Sequence, residues 1–387
     1  MEDLEQVKNT AEEIGSVEEV TEEEEKIYVA PYWKLMWWRF RKNKMALISV
    51  GVLAVFYLVG ICCEFVAPYD PGQYFIKYKL APPSKVRIRD AEGNFHWPFV
   101  YQIVRDRDPE TMRNIYTEDT ETRYPIRFLV HGTEYELWGL FTTDLHLFGL
   151  PVPQEEQGIF LVGADRLGRD LFSRLCYGAR ISLSIGLVGV FLSLTLGIVL
   201  GGISGYYGGR IDTVIQRVIE LIRSIPSIPL WMALSAALPA GWPVIRLYFG
   251  ITVILSLIGW TWMARVVRGR FLALREEDFV MAARLAGSSE KRIILRHMVP
   301  SFLSYIIASL TLAIPNMILG ETGLSFIGLG LRAPAISWGV LLQEAQNVRS
   351  LALAPWVFAP AFFIVTAVLA FNFVGDGLRD AADPYAR

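Results

Sequence analysis

The chain alternates between long runs of uncharged apolar residues and segments that are rich in charge. Five predicted membrane helices rest on runs of at least 18 residues without Asp, Glu, Lys or Arg: 45–63, 181–209, 247–264, 302–320 and 351–375. An α-helix needs about 20 apolar residues to cross the roughly 30 Å hydrocarbon core of a bilayer. The pattern therefore predicts five transmembrane helices, the first of them over residues 45–67.

A sixth transmembrane helix is predicted between the second and third of these runs. The part of this region that precedes Pro239, residues 225–238, is only 14 residues long. The helix becomes long enough if it begins near Asp212 and carries Arg217, Glu220 and Arg223 at a cytosolic or protein-facing end. The sequence thus predicts an all-α polytopic membrane protein with six transmembrane helices, and residues 181–387 hold five of them.

The segment between the first and second runs is too long to be a simple connection. It covers residues 68–180, which we predict to be a small β-rich exterior domain at 72–160 and an amphipathic lead-in to the next helix. This insertion between helices 1 and 2 has two possible roles. It is either a spacer packed against the exterior loops or a contact surface for an extracytoplasmic partner.

Two hairpins are predicted inside that exterior domain. One covers residues 85–101 with its turn at 90–94, where Asp, Gly and Asn cluster. The other covers residues 124–140 and places its turn at His131 and Gly132.

The composition agrees with a membrane protein. Hydrophobic residues make up 53% of the chain and the mean hydropathy is +0.35, which excludes a disordered chain and most soluble enzymes. Three Cys exclude a disulfide scaffold, and four scattered His without ligand spacing argue against a metal enzyme. The sequence predicts no cofactor.

Charge is distributed unevenly along the chain. Residues 1–30 hold 11 Asp and Glu and 2 Lys, a net charge of −9, although the whole chain has a net charge of only −2. We predict that residues 1–44 form a cytosolic acidic tail followed by a basic pre-membrane segment. Acidic runs of this kind are usually solvated tails.

Lysine and arginine predict the orientation in the membrane, since they accumulate in cytosolic loops. With the N-terminus in the cytosol, at least 17 Lys and Arg lie in cytosolic segments. Only three, Arg246, Arg332 and Arg349, lie in the short exterior loops. Both termini are therefore predicted to be cytosolic.

The second apolar run carries a small residue at every fourth position. Its members are Gly189, Ser193, Gly197, Gly201, Gly205 and Gly209. In a bilayer such spacing lets two helix backbones approach closely. We predict a packing surface that winds around the helix, with substrate lining as the alternative.

Prolines and one carboxylate interrupt the other runs and mark candidate pathway positions. Pro226, Pro229 and Pro315 each remove a backbone donor and bend a helix. Irregular backbone at membrane depth is tolerated only inside protein or beside a water-filled cavity. Glu321, at the end of the fifth predicted helix, either forms structural hydrogen bonds or contacts substrate.

A cytosolic loop at residues 270–300 is predicted to form a helix–turn–helix. Asp278 can cap a short helix that Gly287 ends, because glycine tolerates the left-handed conformation at a helix stop. Ser288 or Ser289 can cap a second helix, and Pro300 would close it. The result would be a rigid protrusion beneath the membrane that could fit a socket on a cytosolic protein.

This loop resembles the EAA loop of ABC-transporter permease subunits. The pattern has Glu-Ala-Ala, three residues and Gly; Ala282, Ala283 and Gly287 match it, and Met281 stands where the pattern has Glu. Segments 163–174 and 177–182, together with the end of the chain at 372–380, resemble the oligopeptide/dipeptide permeases. The chain is similar to the "C" member of the permease pair over about 33–67 and 160–387.

The resemblance implies a type I ABC importer fold and a prokaryotic cell-membrane location. Its partners would be a second homologous permease, two cytosolic ATPase subunits and an extracytoplasmic solute-binding protein, with no nucleic acid. The resemblance also places the ATPase-coupling residues in the loop: Ala282, Ala283, Arg284, Leu285, Ala286, Gly287, Ser288, Ser289 and Glu290.

The resemblance implies a non-catalytic subunit, and the chain has no Gly-Lys pair and hence no Gly-x4-Gly-Lys phosphate loop. Peptides are the expected substrates, although the same architecture serves nickel and oligosaccharides. A secondary transporter, a membrane-embedded enzyme and a structural scaffold are the alternative classes. The chain has no internal repeat, no His or Asp in the uncharged runs, and a cytosolic loop that a scaffold leaves unexplained.

Overall fold

The structure is a computed structural model that describes residues 32–107, 109–110, 114–152, 157–239 and 241–382. The acidic tail predicted at residues 1–30 and the C-terminal residues 383–387 lie outside this part of the chain. The helices are α1 (Tyr32–Lys42), α2 (Lys44–Ile61), α3 (Cys63–Val66), α4 (Leu171–Tyr207), α5 (Gly209–Ser224), α6 (Ser227–Ala236), α7 (Val244–Leu274), α8 (Asp278–Leu285), α9 (Glu290–Arg292), α10 (Val299–Ser301), α11 (Leu303–Phe326), α12 (Trp338–Gln343), α13 (Val348–Leu353) and α14 (Ala359–Ala382).

Five of the described helices are long and apolar enough to cross a membrane. They are α2, α4, α7, α11 and α14, the last with the 3-10 turn before it. The pair α5 and α6 counts as a sixth span only as a broken one, since it bends by 86°. The predicted fold class, a helical polytopic membrane protein with a small β-rich insertion, is confirmed.

The sixth span differs from the straight helix that the sequence suggested. The chain leaves helical geometry at Ile225, which is extended with φ −94° and ψ 129°, and α6 starts after Pro226. Proline has no N–H to continue the ladder and pushes the preceding residue out of the helical region. Pro226 therefore lies at the break, and Pro229 falls in the first turn of α6.

The second membrane helix is longer than its apolar run. It starts at Leu171, ten residues before the uncharged stretch, after Asp170 caps it by accepting from the Ser173 N–H at 2.7 Å. The lead-in is helical because both of its arginines are paired. Arg174 binds Asp165 at 2.5 Å, and Arg180 binds Glu64 at 2.6 Å.

Glycines bring α4 and α7 into backbone contact. A Cβ on Gly197 would lie 2.6 Å from the Cβ of Met263, and one on Gly205 would lie 2.6 Å from that of Phe271. A Cβ on Gly201 would overlap the backbone of Ala264. Three successive members of the small-residue row thus face one neighbour. The row of small residues was predicted to wind away from any one neighbour, but α7 packs along it from Gly197 to Gly205.

The exterior insertion contains two small antiparallel sheets. The first has the order β1 (Arg87–Arg89), β2 (Phe95–Arg107), β3 (Asn114–Pro125), and the second pairs β4 (Arg127–Leu137) with β5 (Phe141–Gly149). The hairpin turn predicted at 90–94 is confirmed, since the Asp90 N–H donates to the Asn94 carbonyl across it.

The second predicted turn is wrong. His131 lies inside β4 opposite Leu145, where the strand carries a register shift. The chain turns instead at Trp138 and Gly139, both with positive φ. Hairpin turns commonly use left-handed residues of this kind, and Gly132 does not have a positive φ.

We expect Gly201→Val to destabilise the protein because its side chain would collide with the α7 backbone. Overpacking of this kind costs about 1–3 kcal/mol. The measurement is the apparent melting temperature in detergent, which should fall clearly. Gly51→Val is the matched control, because a Cβ on Gly51 meets nothing within 4 Å. Equal melting temperatures for the two variants would contradict the close contact.

Candidate functional site

The loop predicted to be cytosolic forms a protrusion built from α8, a tight turn and a second helical segment. The second segment runs from α9 through a π-helical stretch, Ile293–Met298, into α10. We call residues 278–301 the knob. Gly287, at φ +75°, reverses the chain between the two segments.

The turn at Gly287 satisfies the free carbonyls at the end of α8. The Ser288 N–H donates to the Ala283 carbonyl at 3.0 Å, and the Gly287 N–H donates to the Arg284 carbonyl at 2.9 Å. These two bonds form a Schellman motif, which requires a left-handed residue at this position. The predicted helix stop therefore has a defined geometry that a residue with a Cβ would strain.

Other details of the knob differ from the sequence prediction. Glu277, not Asp278, precedes α8, and Ser289 precedes α9 without a side-chain cap. Pro300 does not close the segment. Pro300 lies at the start of the short helix α10, where its missing N–H removes no helical hydrogen bond, so the helical segment continues through it. The segment ends instead at Phe302, which has φ −126° and ψ 22°.

A buried apolar cluster fixes the knob to the membrane helices. Val280, Ile293 and Met298 are fully buried and pack with Val267 and Phe271 of α7. The knob and the cytosolic end of α7 thus share one core. The knob is consequently part of the helix bundle and not an independent loop.

Polar contacts add a second attachment, to the end of α4. The Tyr207 hydroxyl donates to Glu290 Oε2 at 2.6 Å, and the Arg284 guanidinium lies 5.2 Å from the centre of the Tyr206 ring. Arg268 of α7 binds Asp212 of α5 through two bonds of 2.5 and 2.6 Å. These contacts hold α4, α5, α7 and the knob at fixed relative positions.

The opposite face of the knob is exposed and apolar. Leu285 is 91% exposed, and Met281, one helical turn earlier, is also exposed. Ala282, Ala286 and Gly287 are exposed beside them, whereas Ala283 and Ser288 are half-buried. A small-residue surface with one protruding leucine suits insertion into a complementary groove.

Glu321 lies in the interior of the helix bundle and is fully buried. Its Oε1 accepts from the hydroxyls of Ser325 at 2.7 Å and Ser337 at 2.6 Å. These bonds join α11 to the start of α12 and agree with the structural alternative for this residue. Pro315 lies inside α11, where it leaves the helix continuous.

A cavity of about 410 Å³ lies between α7, α11 and α14. It is lined by Trp262, Tyr305, Ala308, Ser309, Leu312, Ala313, Asn316 and Arg379. Pro226, Pro229, Pro315 and Glu321 are not among these lining residues. The lining residues that belong to α11 recur every three or four positions between Tyr305 and Asn316. They therefore lie on one face of the helix, and this spacing could have predicted the face from the sequence.

At the opposite end of α4 from the knob, the segment before this helix folds around a buried ion cluster. Asp165 accepts from Arg169 at 2.6 Å and from Arg174 at 2.5 Å, and both arginines also bind Glu344. Gly168, at φ +82°, lets the backbone pass against Phe75, where a Cβ would overlap the Phe75 carbonyl. The cluster connects the exterior domain to the loop after α12.

Two family models match this chain. One describes the inner membrane component of binding-protein-dependent transport systems and covers residues 197–387. The other describes the N-terminal transmembrane domain of oligopeptide transport permease C and covers residues 31–83.

Curated relatives agree with these models. The chain is 39% identical over 226 residues to the oligopeptide transport system permease protein OppC of Bacillus subtilis, which covers 58% of this chain and 72% of the relative. It belongs to the oligopeptide/dipeptide permease C family. The dipeptide transport system permease protein DppC of Lactococcus lactis is 32% identical over 351 residues, 90% of each chain, so that alignment spans the exterior domain.

A structure of the MetNI methionine ABC transporter in an inward-facing conformation is also similar, with a TM-score of 0.44 and 18% identity over 55% of this chain and 97% of that one.

Family membership makes this protein a multi-pass inner membrane permease subunit of an ABC transporter, a class whose members transport and do not catalyse. We refer to it below as the permease.

Asp170 gives the exterior segment a pH-dependent stability. Burial raises the pKa of Asp170 to about 6, from an ordinary value of 3.8, and the nearby Asp165 acts in the same direction. The folded state therefore binds the proton more tightly than the unfolded state. This contribution to stability is complete below pH 3.8 and is lost as the pH rises through 6.

We expect Asp170→Asn to remove that pH dependence while keeping the helix cap, since Asn caps as well as Asp. The difference in apparent melting temperature between variant and wild type should change between about pH 4 and pH 7, in favour of the variant at the higher pH. Thermal unfolding in detergent across this range measures it. A constant difference would contradict the raised pKa.

Proposed function

We propose that the permease forms half of the translocation pathway of an ATP-driven peptide importer and couples to the ATPases through the knob. The proposed coupling residues are Ala282, Ala283, Arg284, Leu285, Ala286, Gly287, Ser288, Ser289 and Glu290. The observation that supports this proposal is that the knob has one buried face and one exposed face. One face is buried against α7, and the other presents an exposed leucine.

Coupling requires a connection that transmits force in both directions. Val280 and Met298 hold the knob in the same core as Phe271, and Glu290 is bonded to the end of α4. A movement imposed on the knob by a bound subunit would therefore move the cytosolic ends of α4 and α7. A loosely attached loop would absorb the same movement.

The proposed assembly contains a second homologous permease, two ATPase subunits and an extracytoplasmic solute-binding protein. Both termini are placed in the cytosol, because Lys and Arg accumulate on the side that carries the knob. ATP hydrolysis belongs to the ATPase subunits in this assembly. Peptides are the proposed substrates, since the relatives OppC and DppC are named for oligopeptide and dipeptide transport.

The translocation route is proposed to pass the cavity between α7, α11 and α14. Asn316, Ser309 and Tyr305 supply hydrogen-bonding groups there, as a peptide backbone requires. Pro226, Pro229, Pro315 and Glu321 are proposed to act on the route indirectly. The prolines shape α6 and α11, and Glu321 fixes the outer end of α11 to α12.

Leu285→Asp should uncouple the transporter, because the exposed leucine would no longer enter an apolar groove. We expect peptide-stimulated ATP hydrolysis by the assembled complex to fall at least tenfold, or the ATPase subunits to dissociate on purification. Val348→Asp, on an exposed apolar residue of the exterior side, is the matched control and should leave both unchanged. Wild-type stimulation in the Leu285 variant would exclude this face as the coupling surface.

Gly287→Val tests whether coupling depends on the backbone conformation of the knob, whereas Leu285→Asp tests its exposed surface. A β-branched residue cannot adopt φ +75° without strain, so the turn between α8 and α9 should distort and coupling should weaken. Gly269→Val is the control, since Gly269 lies in α7 and a Cβ there meets nothing within 4 Å. Unaltered peptide-stimulated hydrolysis in Gly287→Val would argue against a coupling role for the turn.

Asn316→Leu should lower peptide uptake while leaving the complex intact, because it removes hydrogen-bonding capacity from the cavity at similar volume. The expected effect is a several-fold loss of uptake into vesicles, with basal ATP hydrolysis near the wild-type rate. Leu319→Asn is a polarity control on an exposed α11 position outside the cavity. Normal uptake by Asn316→Leu would place the route elsewhere.

A further inference from the structure

The tip of the second exterior hairpin carries an exposed apolar cluster beside the end of a membrane helix. The tip, residues 137–141, joins β4 to β5. Trp138 is 55% exposed, Leu140 71% and Phe141 65%. A polar or glycine-rich turn would be usual at such a position in water.

A hydrogen bond fixes the position of this tip relative to the end of α2. The Trp138 indole N–H donates to the carbonyl of Ile61 at 2.7 Å, and Ile61 is the last residue of α2. The same carbonyl accepts from Arg180 at 2.8 Å. The last carbonyls of a helix lack intrahelical partners, so the indole and the guanidinium complete the end of this one.

The backbone at the tip adopts a conformation that tryptophan disfavours. Trp138 has φ +54° and is followed by Gly139 at φ +69°. Asn, Asp or Gly normally occupies the first of these positions, because a bulky side chain there is strained. Trp138 is therefore placed here for its side chain and not for the turn.

An apolar groove runs inward from Trp138 between α2 and α4. Its volume is about 320 Å³, and its lining includes Tyr57, Ile61, Leu183 and Leu187. Ile61 and Leu187 are also exposed on the outer surface of the helices. The groove thus opens onto the exposed apolar surface of α2 and α4.

The hairpin is also attached through the middle of β5, to the residue that follows α3. The His146 ring of β5 lies 2.6 Å from the Ala67 carbonyl through Nδ1 and 3.0 Å from the Thr133 carbonyl through Nε2. The hairpin is consequently held at two points, at its tip on Ile61 and through His146 on Ala67. It cannot swing away from the membrane surface without breaking both.

We propose that residues 137–141 form an interfacial membrane anchor, with Trp138, Leu140 and Phe141 in the outer headgroup region and a lipid acyl chain in the groove. The tip continues the exposed apolar surface of α2, where Val55, Leu58 and Ile61 face outward. Tryptophan is enriched at this depth because its ring is apolar and its N–H is polar. A lipid surface fits this continuity better than a separate protein.

The test is the depth of a spin label on the tip in the full-length permease, purified with its partner subunits and reconstituted in vesicles of phosphatidylethanolamine and phosphatidylglycerol. The label is attached at Leu140→Cys in a Cys62→Ser background, since Cys63 and Cys176 are buried. Accessibility to oxygen and to a water-soluble nickel chelate is compared with labels at Leu58→Cys, in α2, and Ile88→Cys, in β1. Both reference positions are exposed apolar residues.

The anchor predicts that the label at position 140 is several-fold more accessible to oxygen than to nickel, as at position 58. A label as accessible to nickel as the one at position 88 would overturn the proposal. So would shielding from both reagents, because a protein and not lipid would then cover the tip. None of these outcomes depends on ATPase coupling.

Two substitutions separate anchoring from turn formation. Trp138→Asn suits the left-handed backbone and removes the anchor, so the ratio of oxygen to nickel accessibility at position 140 should fall several-fold. Trp138→Phe keeps the ring without the N–H and should reduce that ratio less. An unchanged ratio in Trp138→Asn would contradict the role of this side chain.

Discussion

The backbone contact between α4 and α7 is the constraint on which the rest of the permease depends. Gly197, Gly201 and Gly205 leave no room for side chains, so the two helices lie closer than ordinary packing allows. Apolar side chains gain little by leaving lipid for protein, which makes close dispersion contacts a main source of helix association in a membrane. Gly259 of α7 contributes to the same close contact, since a Cβ there would lie 2.5 Å from Ser193 Oγ.

This helix pair links the two faces of the membrane. Arg174, near the N-terminal end of α4, belongs to the ion cluster around Asp165. The C-terminal end of α7 leads directly into the knob. The buried groups of the knob pack on α7 and on the start of α11, as well as on one another. The ion cluster before α4 and the knob therefore belong to one packed unit.

Charges mark the ends of that unit. Asp165 and Arg174 are almost completely buried, and a buried charge is tolerated only when a partner and further hydrogen bonds satisfy it. Asp165 meets this condition with two arginines and with the backbone N–H groups of Leu167 and Arg169. At the opposite end of the helix pair, Arg268 and Asp212 are half-buried and join α7 to α5. The Glu64–Arg180 pair joins α3 to α4, the two helices that flank the insertion, and Glu344, just after α12, binds both arginines of the ion cluster.

The sequence by itself determined the features that depend on local composition. Uncharged runs fix where membrane helices form, because a bilayer leaves no alternative for an apolar segment of that length. Gly287 fixes a helix stop because few other residues adopt its φ, and the turn at 90–94 follows from Asp, Gly and Asn in the same way. The likeness to the permease C family likewise lay in short motifs that can be read along the chain.

Tertiary structure decided whatever depends on residues distant in sequence. The length of α4 followed from Asp165 and Glu64, which neutralise arginines that a hydropathy profile counts against a membrane helix. The turn at Trp138 required a partner 77 residues away, the carbonyl of Ile61, to hold a strained tryptophan. The cavity between α7, α11 and α14 exists only where three helices meet, so no single segment could indicate it. Local sequence specifies elements, but the pairing of charges and the contact of glycines across helices specify how those elements meet.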